Sequence, residues 1–135
     1  MVQWHTKSRK KTSGGKRTTV RRCDKKKAWM GGLPANTKTS ETSEQEIKTK
    51  QGRGSKLKKR TIQTKYVNVV DKKTGKVQKL EIIAVKENNA NRLFARSNIT
   101  TKGAIIRVKS GNTEKLAKVT NRPGQDGNVN AELTE

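Results

Sequence analysis

Residues 66–87 read YVNVVDKKTGKVQKLEIIAVKE. Tyr66-Val67-Asn68-Val69-Val70 is β-branched and aromatic, the composition of a strand. Asp71-Lys72-Lys73-Thr74-Gly75 follows as a turn with glycine at its end. From Lys76 to Lys86 the apolar residues return as Val77, Leu80, Ile82, Ile83 and Val85. The same grammar continues downstream. Gly103 to Lys109 carries Ile105, Ile106 and Val108, and a Ser110-Gly111-Asn112 turn leads to Lys115–Thr120 with Leu116, Ala117 and Val119. Val129-Asn130-Ala131-Glu132-Leu133 alternates strictly, which gives one buried face. Leu57 to Ile62 adds a strand ahead of Tyr66, and Asn88 to Asn98 breaks the rhythm with room for one helical turn. About six short strands separated by turn signals favour a mostly β fold, a small closed or nearly closed barrel without exposed edges.

The rest of the chain has another character. Of 135 residues, 33 are Lys or Arg and 11 are Asp or Glu, a formal charge of +22. Hydrophobic residues make up 28%, against roughly 45–50% (Gly included) in ordinary globular chains, so the core must be small. The imbalance is uneven. Residues 1–65 hold 20 basic and 4 acidic residues, a net of +16, whereas 66–135 hold 13 and 7, a net of +6. The expected division is a long basic, largely irregular N-terminal extension over 1–56 and a β-barrel domain over 57–135. Within the extension, basic clusters recur as Arg9-Lys10-Lys11, Lys16-Arg17, Arg21-Arg22 and Lys25-Lys26-Lys27, and no apolar period runs through them. Between Lys38 and Lys50, where Glu41, Glu44 and Glu46 sit among Ser and Thr, the sequence reads as an exposed loop.

Such a charge calls for a polyanion, and nucleic acid is the commonest one. No apolar run approaches the roughly 18–20 residues of a membrane span. Lys7, Arg9, Lys10 and Lys11 lead into Thr12, Ser13 and Gly14, not into the apolar stretch of a secretory signal, so the cytoplasm is the expected compartment. Lys outnumbers Arg 23 to 10, which favours point-charge phosphate contacts over base-edge readout. Trp4 and Trp29 lie among the cations. They are placed either to stack on unpaired bases or to pack locally, and His5 is a further stacking or hydrogen-bonding candidate.

Other motifs carry no chemistry. Gly14-Gly15-Lys16 lacks the spacing of a phosphate-binding loop, since Lys10 stands where the first glycine belongs and Arg17 where Ser or Thr must follow the lysine. His5 and Cys23, the only His and the only Cys, cannot furnish the four ligands of structural zinc or a rigid base–nucleophile pair. Asn98-Ile99-Thr100 matches the glycosylation sequon by chance. Lys72, Lys73 and Lys76 crowd the Asp71 turn, which no Glu closes as a calcium loop would require. No cofactor, metal or small-molecule substrate is expected.

Four segments resemble the small-subunit ribosomal protein family S8e of archaea and eukaryotes: NVVDKKTGKV (68–77), ENNANR (87–92), RSNITTKGAII (96–106) and RPGQDGNVNAELTE (122–135). WHTKSRKKTSGGKR (4–17) resembles the family's opening more loosely. The length is similar to archaeal members. Ala28-Trp29-Met30-Gly31 and Arg53-Gly54-Ser55-Lys56 depart from the Tyr-Glu-Leu-Gly and Arg-Gly-Gly-Asn segments usual in the family. The resemblance implies a six-stranded barrel whose basic extension threads into small-subunit ribosomal RNA beside neighbouring ribosomal proteins, with a structural and assembly role and no catalysis. The candidate RNA contacts are Trp4, His5, Lys7, Arg9, Lys10, Lys11, Lys16, Arg17, Arg21, Arg22, Lys25, Lys26, Lys27, Arg53, Lys56, Lys58, Lys59, Arg60, Arg92, Arg96, Lys102 and Arg122. A ribosome-biogenesis factor of the same family and a basic DNA- or chromatin-binding protein are the alternatives. The second would more naturally carry a recognition helix or a dimer-forming segment.

Overall fold

A computed structural model describes residues 8–18, 32–42, 45–111 and 113–134. Trp4, His5, Lys7, Arg21, Arg22, Cys23, Lys25, Lys26, Lys27 and Trp29 lie outside the described residues. The chain forms two compact units, Met1–Pro34 and Ala35–Glu135. In the second unit the elements are β1 (Lys38–Thr39), β2 (Glu46–Gln51), a 3-10 turn (Arg53–Ser55), β3 (Leu57–Thr64), β4 (Tyr66–Val70), β5 (Val77–Glu87), α1 (Arg92–Arg96), β6 (Ile105–Ser110), β7 (Thr113–Val119), α2 (Pro123–Asp126) and β8 (Asn130–Thr134).

Strands β4 to β8 close into a barrel. Neighbours pair antiparallel in chain order, and β8 returns to β4 in parallel, with Asn68 opposite Asn130 and Val70 opposite Glu132. At that seam the Asn68 side-chain amide donates to Asn130 Oδ1 at 3.2 Å. Alternation decides the interior: Val67 and Val69, Ile106 and Val108, Ala117 and Val119, and Val129 and Ala131 are all buried. Three alanines (Ala104, Ala117 and Ala131) are among the core residues, as the narrow bore of a five-stranded barrel requires. β5 departs from strict alternation. Its register with β6 shifts between Ile82 and Ala84 and again between Val85 and Glu87, so Ile82 and Val85 are buried while Ile83 is left 41% exposed. Bulges of this kind bend a strand and let a small sheet close on itself.

Two expectations need correction. The barrel has five strands, not six. β3 leaves it and pairs instead in a three-stranded sheet of order β1-β3-β2. Its tie to the barrel is Lys65, whose carbonyl accepts from the Ile82 amide at 2.8 Å. Secondly, the stretch from Lys38 to Lys50 is not simply a loop. β1 runs parallel to the end of β3, and β2 runs antiparallel to β3. Every residue of β2 is exposed, so no apolar periodicity marked it. The small sheet is joined to the barrel unit by the Thr100 amide donating to the Thr37 carbonyl at 2.8 Å and the Thr39 amide donating to that of Asn98 at 3.0 Å.

The β4–β5 turn forms where the sequence places it, and Asp71 organises it. Its carboxylate accepts from the Lys73 amide at 3.0 Å and the Thr74 hydroxyl at 2.9 Å. These bonds, the Lys73 amide first, hold the carboxyl below the usual aspartate range. A depressed folded-state pKa stabilises the fold above the unfolded value and ceases to do so as pH falls through the folded one. Asp71→Asn should therefore cost a small amount of stability at neutral pH. The difference from wild type should begin to shrink as pH falls to about 3.9, the ordinary aspartate value, and vanish only below the lower folded-state value. Thermal melts from neutral to acidic pH check this.

Candidate nucleic-acid interface

In the first unit the described residues 8–18 form a tight hairpin turn. Lys10 pairs with Lys16 as an antiparallel bridge, and the Arg17 amide donates to the Arg9 carbonyl at 2.9 Å. The Gly14 amide closes the turn on the Lys11 carbonyl at 3.0 Å, and the Lys11 amide donates to that of Gly15 at 2.7 Å. Gly14 sits at φ +83°, the left-handed position such a three-residue loop demands. Arg9, Lys10, Lys11, Lys16 and Arg17 are all exposed. Lys10 thus stands opposite Lys16, and Arg9 beside Arg17. Like charges facing across strands are destabilising, and the first acidic residue of the sequence is Asp24.

In the second unit the topology gathers the remaining candidates. β5 ends, and β6 begins, at the end of the barrel where Glu87 pairs with Ile105. The β7–β8 connection turns at this same end, since Val119 pairs with Ala131 and the Val119 amide donates to Ala104. Arg92 and Arg96 on α1, Lys102 in the turn before β6, and Arg122 at the start of α2 therefore share one end of the barrel, and each is exposed. Lys72, Lys73 and Lys76 occupy the opposite end. The β2–β3 hairpin carries the others: Arg53 and Lys56 lie in its tip, Lys58 and Lys59 are exposed on β3, and Arg60 is half-buried.

Asparagines hold these loops. Asn88, 8% exposed, donates to the Ile99 carbonyl at 3.0 Å and accepts from the Ala90 amide at 3.0 Å and the Thr101 hydroxyl at 2.9 Å. Asn91 caps α1 by accepting from the Leu93 amide at 2.9 Å. Asn98, at φ +50°, accepts from the Val85 amide at 3.2 Å, so the apparent sequon is a structural turn. Asn88→Ala would leave buried partners unsatisfied, at about 1–2 kcal/mol. The expected result is a melting midpoint lowered by several degrees, with faster amide exchange over 88–101, which hydrogen-exchange mass spectrometry would read.

α2 is a single turn begun by Pro123 and closed by Gly127 at φ +81°. It packs on β3 and on the segment before β1: a Cβ on Gly127 would lie 2.8 Å from that of Lys59, and one on Gly124 would lie 2.6 Å from that of Ala35. The Arg122 amide donates to Asp126 Oδ2 at 3.0 Å, which leaves the Arg122 side chain exposed.

The chain matches the family model described as "Ribosomal protein S8e" over residues 4–134. It belongs to the ribosomal protein S8e family. It is similar to "Small ribosomal subunit protein eS8" of Methanocorpusculum labreanum, 42% identical over 132 residues that cover 98% of each chain. The protein of the same name from Methanosarcina barkeri is 40% identical over 134 residues, covering 99% of this chain and all of the relative. That of Ignicoccus hospitalis is 39% identical over 135 residues, covering 100% and 98%.

The segments that carry the S8e resemblance have structural reasons to exist. NVVDKKTGKV is the end of β4, its Asp71-organised turn and the first residue of β5. ENNANR supplies Asn88 and the Asn91 cap, RSNITTKGAII supplies Asn98 and the entry to β6, and RPGQDGNVNAELTE is α2 and β8. Sequence reasoning missed Lys48 and Lys50, which lie opposite Arg60 and Lys58 in β2–β3. Their spacing of two, repeated at Lys58 and Arg60, was the available signal.

Proposed function

We propose that this S8e-family protein is a structural constituent of the small ribosomal subunit, which binds ribosomal RNA and supports subunit assembly without catalysing a reaction. The match over residues 4–134, with relatives that are themselves named small ribosomal subunit proteins, carries this reading. Charge supports it: +16 of the net +22 falls in residues 1–65, and the described hairpin at 8–18 presents five exposed cations. In this reading the basic extension 1–56 anchors the RNA and the barrel positions further contacts. Those contacts are Arg92, Arg96, Lys102 and Arg122 at one barrel end, with Lys58, Lys59 and Arg60 on β3, while Arg53 and Lys56 at the hairpin tip belong to the extension's share. Small-subunit ribosomal RNA and neighbouring ribosomal proteins are the partners, and the ribosome in the cytoplasm is the location. Tagged protein expressed in a related cell should co-sediment with mature small subunits in high-magnesium gradients. Confinement to precursor particles would instead indicate a biogenesis factor, and recovery with chromatin a DNA-binding role.

A further inference from the structure

The β2–β3 hairpin carries an organised set of charges on one face. Lys48 pairs with Arg60 and Lys50 with Lys58. Residues directly opposite in an antiparallel pair project to the same side, as do residues two apart on one strand. The four cations therefore form a quadrilateral, with sides of roughly 6.8 Å along a strand and 4.5–5.5 Å across it. Glu46 bridges Lys48 at 3.2 Å at the inner end of this face. The other face holds Ile47, Thr49, Gln51, Leu57, Lys59 and Thr61, and it meets α2 where Gly127 approaches Lys59. The cationic face is thus turned away from that contact.

Lysines on β2 alone would have a simple explanation, since β2 is an edge strand and edge lysines deter pairing with other chains. β3 too has an open side at Lys58 and Arg60, since β1 pairs with it only at Gln63 and Thr64. But edge protection needs only scattered lysines and does not account for cations set directly opposite one another. Lys50 opposite Lys58 costs stability in the free protein, while Glu46 offsets part of the charge at Lys48, and a bound polyanion removes the remaining cost. Residues 46–64 contain no Trp, Tyr, Phe or His, so the ribbon lacks the aromatic platforms on which single strands are usually held. Both flanks of a helical RNA, by contrast, present rows of phosphates at a fixed spacing.

We infer that the Lys48, Lys50, Lys58 and Arg60 face binds the phosphate backbone of a helical RNA segment without reading its sequence. The inference rests on the RNA-binding reading above, and adds a contact borne by the folded unit and a class of RNA for it.

The test is a fluorescence-anisotropy titration of the full chain on two RNA duplexes of unrelated sequence and on oligo(U), at several salt concentrations. Replacing Lys48, Lys50 and Lys58 together by Gln should flatten the slope of log affinity against log salt by about 2–3 units on both duplexes. It should change the oligo(U) slope far less. Replacing the same three by Arg should preserve the slope, and Lys73, Lys76 and Lys115 to Gln, equal in charge change, should alter it by less than one unit. Relief of like-charge pairing predicts a melting temperature for the Gln variant at or above that of wild type, which checks the fold. An unchanged duplex slope in a chain whose wild type binds RNA overturns the ribbon contact and leaves the RNA-binding reading intact. If that unchanged slope came with loss of co-sedimentation, the face would belong to an acidic protein neighbour. A change confined to oligo(U), or equal in the Lys73, Lys76 and Lys115 variant, also overturns the inference. A wild type that binds none of the three RNAs overturns both readings.

Discussion

Gly127→Val should lower the melting midpoint of the barrel unit by on the order of 10–20 °C, whereas Arg122→Ala, five residues away, should leave it nearly unchanged. Two independent terms act at Gly127. Its φ of +81° lies in the left-handed region, where a β-branched residue is a genuine outlier and the strain costs about 1–3 kcal/mol. Its missing Cβ would also lie 2.8 Å from the Lys59 Cβ, where overpacking adds about 1–3 kcal/mol. A combined loss near 3 kcal/mol, at about 4–8 °C per kcal/mol for a domain of this size, gives the stated shift. The position cannot yield easily. The Gly127 amide donates to the Pro123 carbonyl at 3.2 Å, and its carbonyl accepts from the Gln45 side chain at 3.5 Å, so α2, β3 and the segment before β2 move together. Arg122 differs because its structural role belongs to its backbone amide, bound to Asp126, and an exposed side chain of this kind is worth within about 0.5 kcal/mol. Its removal should appear as weaker RNA binding instead. Melts of both variants by circular dichroism, with RNA titrations alongside, would show the ranking. The reverse order would dismantle this assignment of roles.

What could be read from the sequence follows from where burial leaves a periodic trace. β4, β6, β7 and β8 each hide one face, so Val67/Val69, Ile106/Val108, Ala117/Val119 and Val129/Ala131 alternate in the chain as they do in the barrel. β5 was legible as a strand but not in register, since its two bulges are set by barrel closure, a property of the assembled sheet. β3 reads as a barrel strand because Leu57 to Ile62 lies directly ahead of Tyr66 and its composition suits either sheet. Only pairing partners, which are non-local, decide between them. β2 left no apolar trace, only the spacing of two between Lys48 and Lys50. A strand exposed on every residue, EIKTKQ, is held by its ladder to β3 and by the Gly52–Lys56 turn, whose closing bond runs from the Gly52 amide to the Lys56 carbonyl at 2.6 Å. Within that turn Gly54 and Ser55 take φ +66° and +61°. For the candidate interface the amount of charge was plain from counting. Its arrangement was not, because opposition of Lys48 to Arg60 or of Lys10 to Lys16 is a matter of register.

The largest expected change in RNA affinity comes from the 8–18 hairpin. Replacing Arg9, Lys10, Lys11, Lys16 and Arg17 together by Gln should flatten the slope of log affinity against log salt by about four units, at roughly 0.7–0.9 per phosphate contact. Register is what makes these five cations act as a group. Lys10 faces Lys16, Arg17 is bonded through its amide to Arg9, and no acidic residue precedes Asp24 in the sequence, so nothing in this segment neutralises them. A phosphate backbone laid along the hairpin would relieve repulsion and release its own counterions in one step. The five side chains are exposed and belong to the Met1–Pro34 unit, so the melting of Ala35–Glu135 should not move. Gln at Lys72, Lys73 and Lys76 should do much less, because Lys72 is already bridged to Glu132 at 2.9 Å and that end of the barrel lies opposite the end that gathers Arg92, Arg96, Lys102 and Arg122. Filter binding on ribosomal RNA fragments at several salt concentrations measures both slopes. If the five-residue variant kept the wild-type slope, the anchor would lie in the folded unit, and the β2–β3 face, with its two cross-strand cation pairs, would be the first place to look for it.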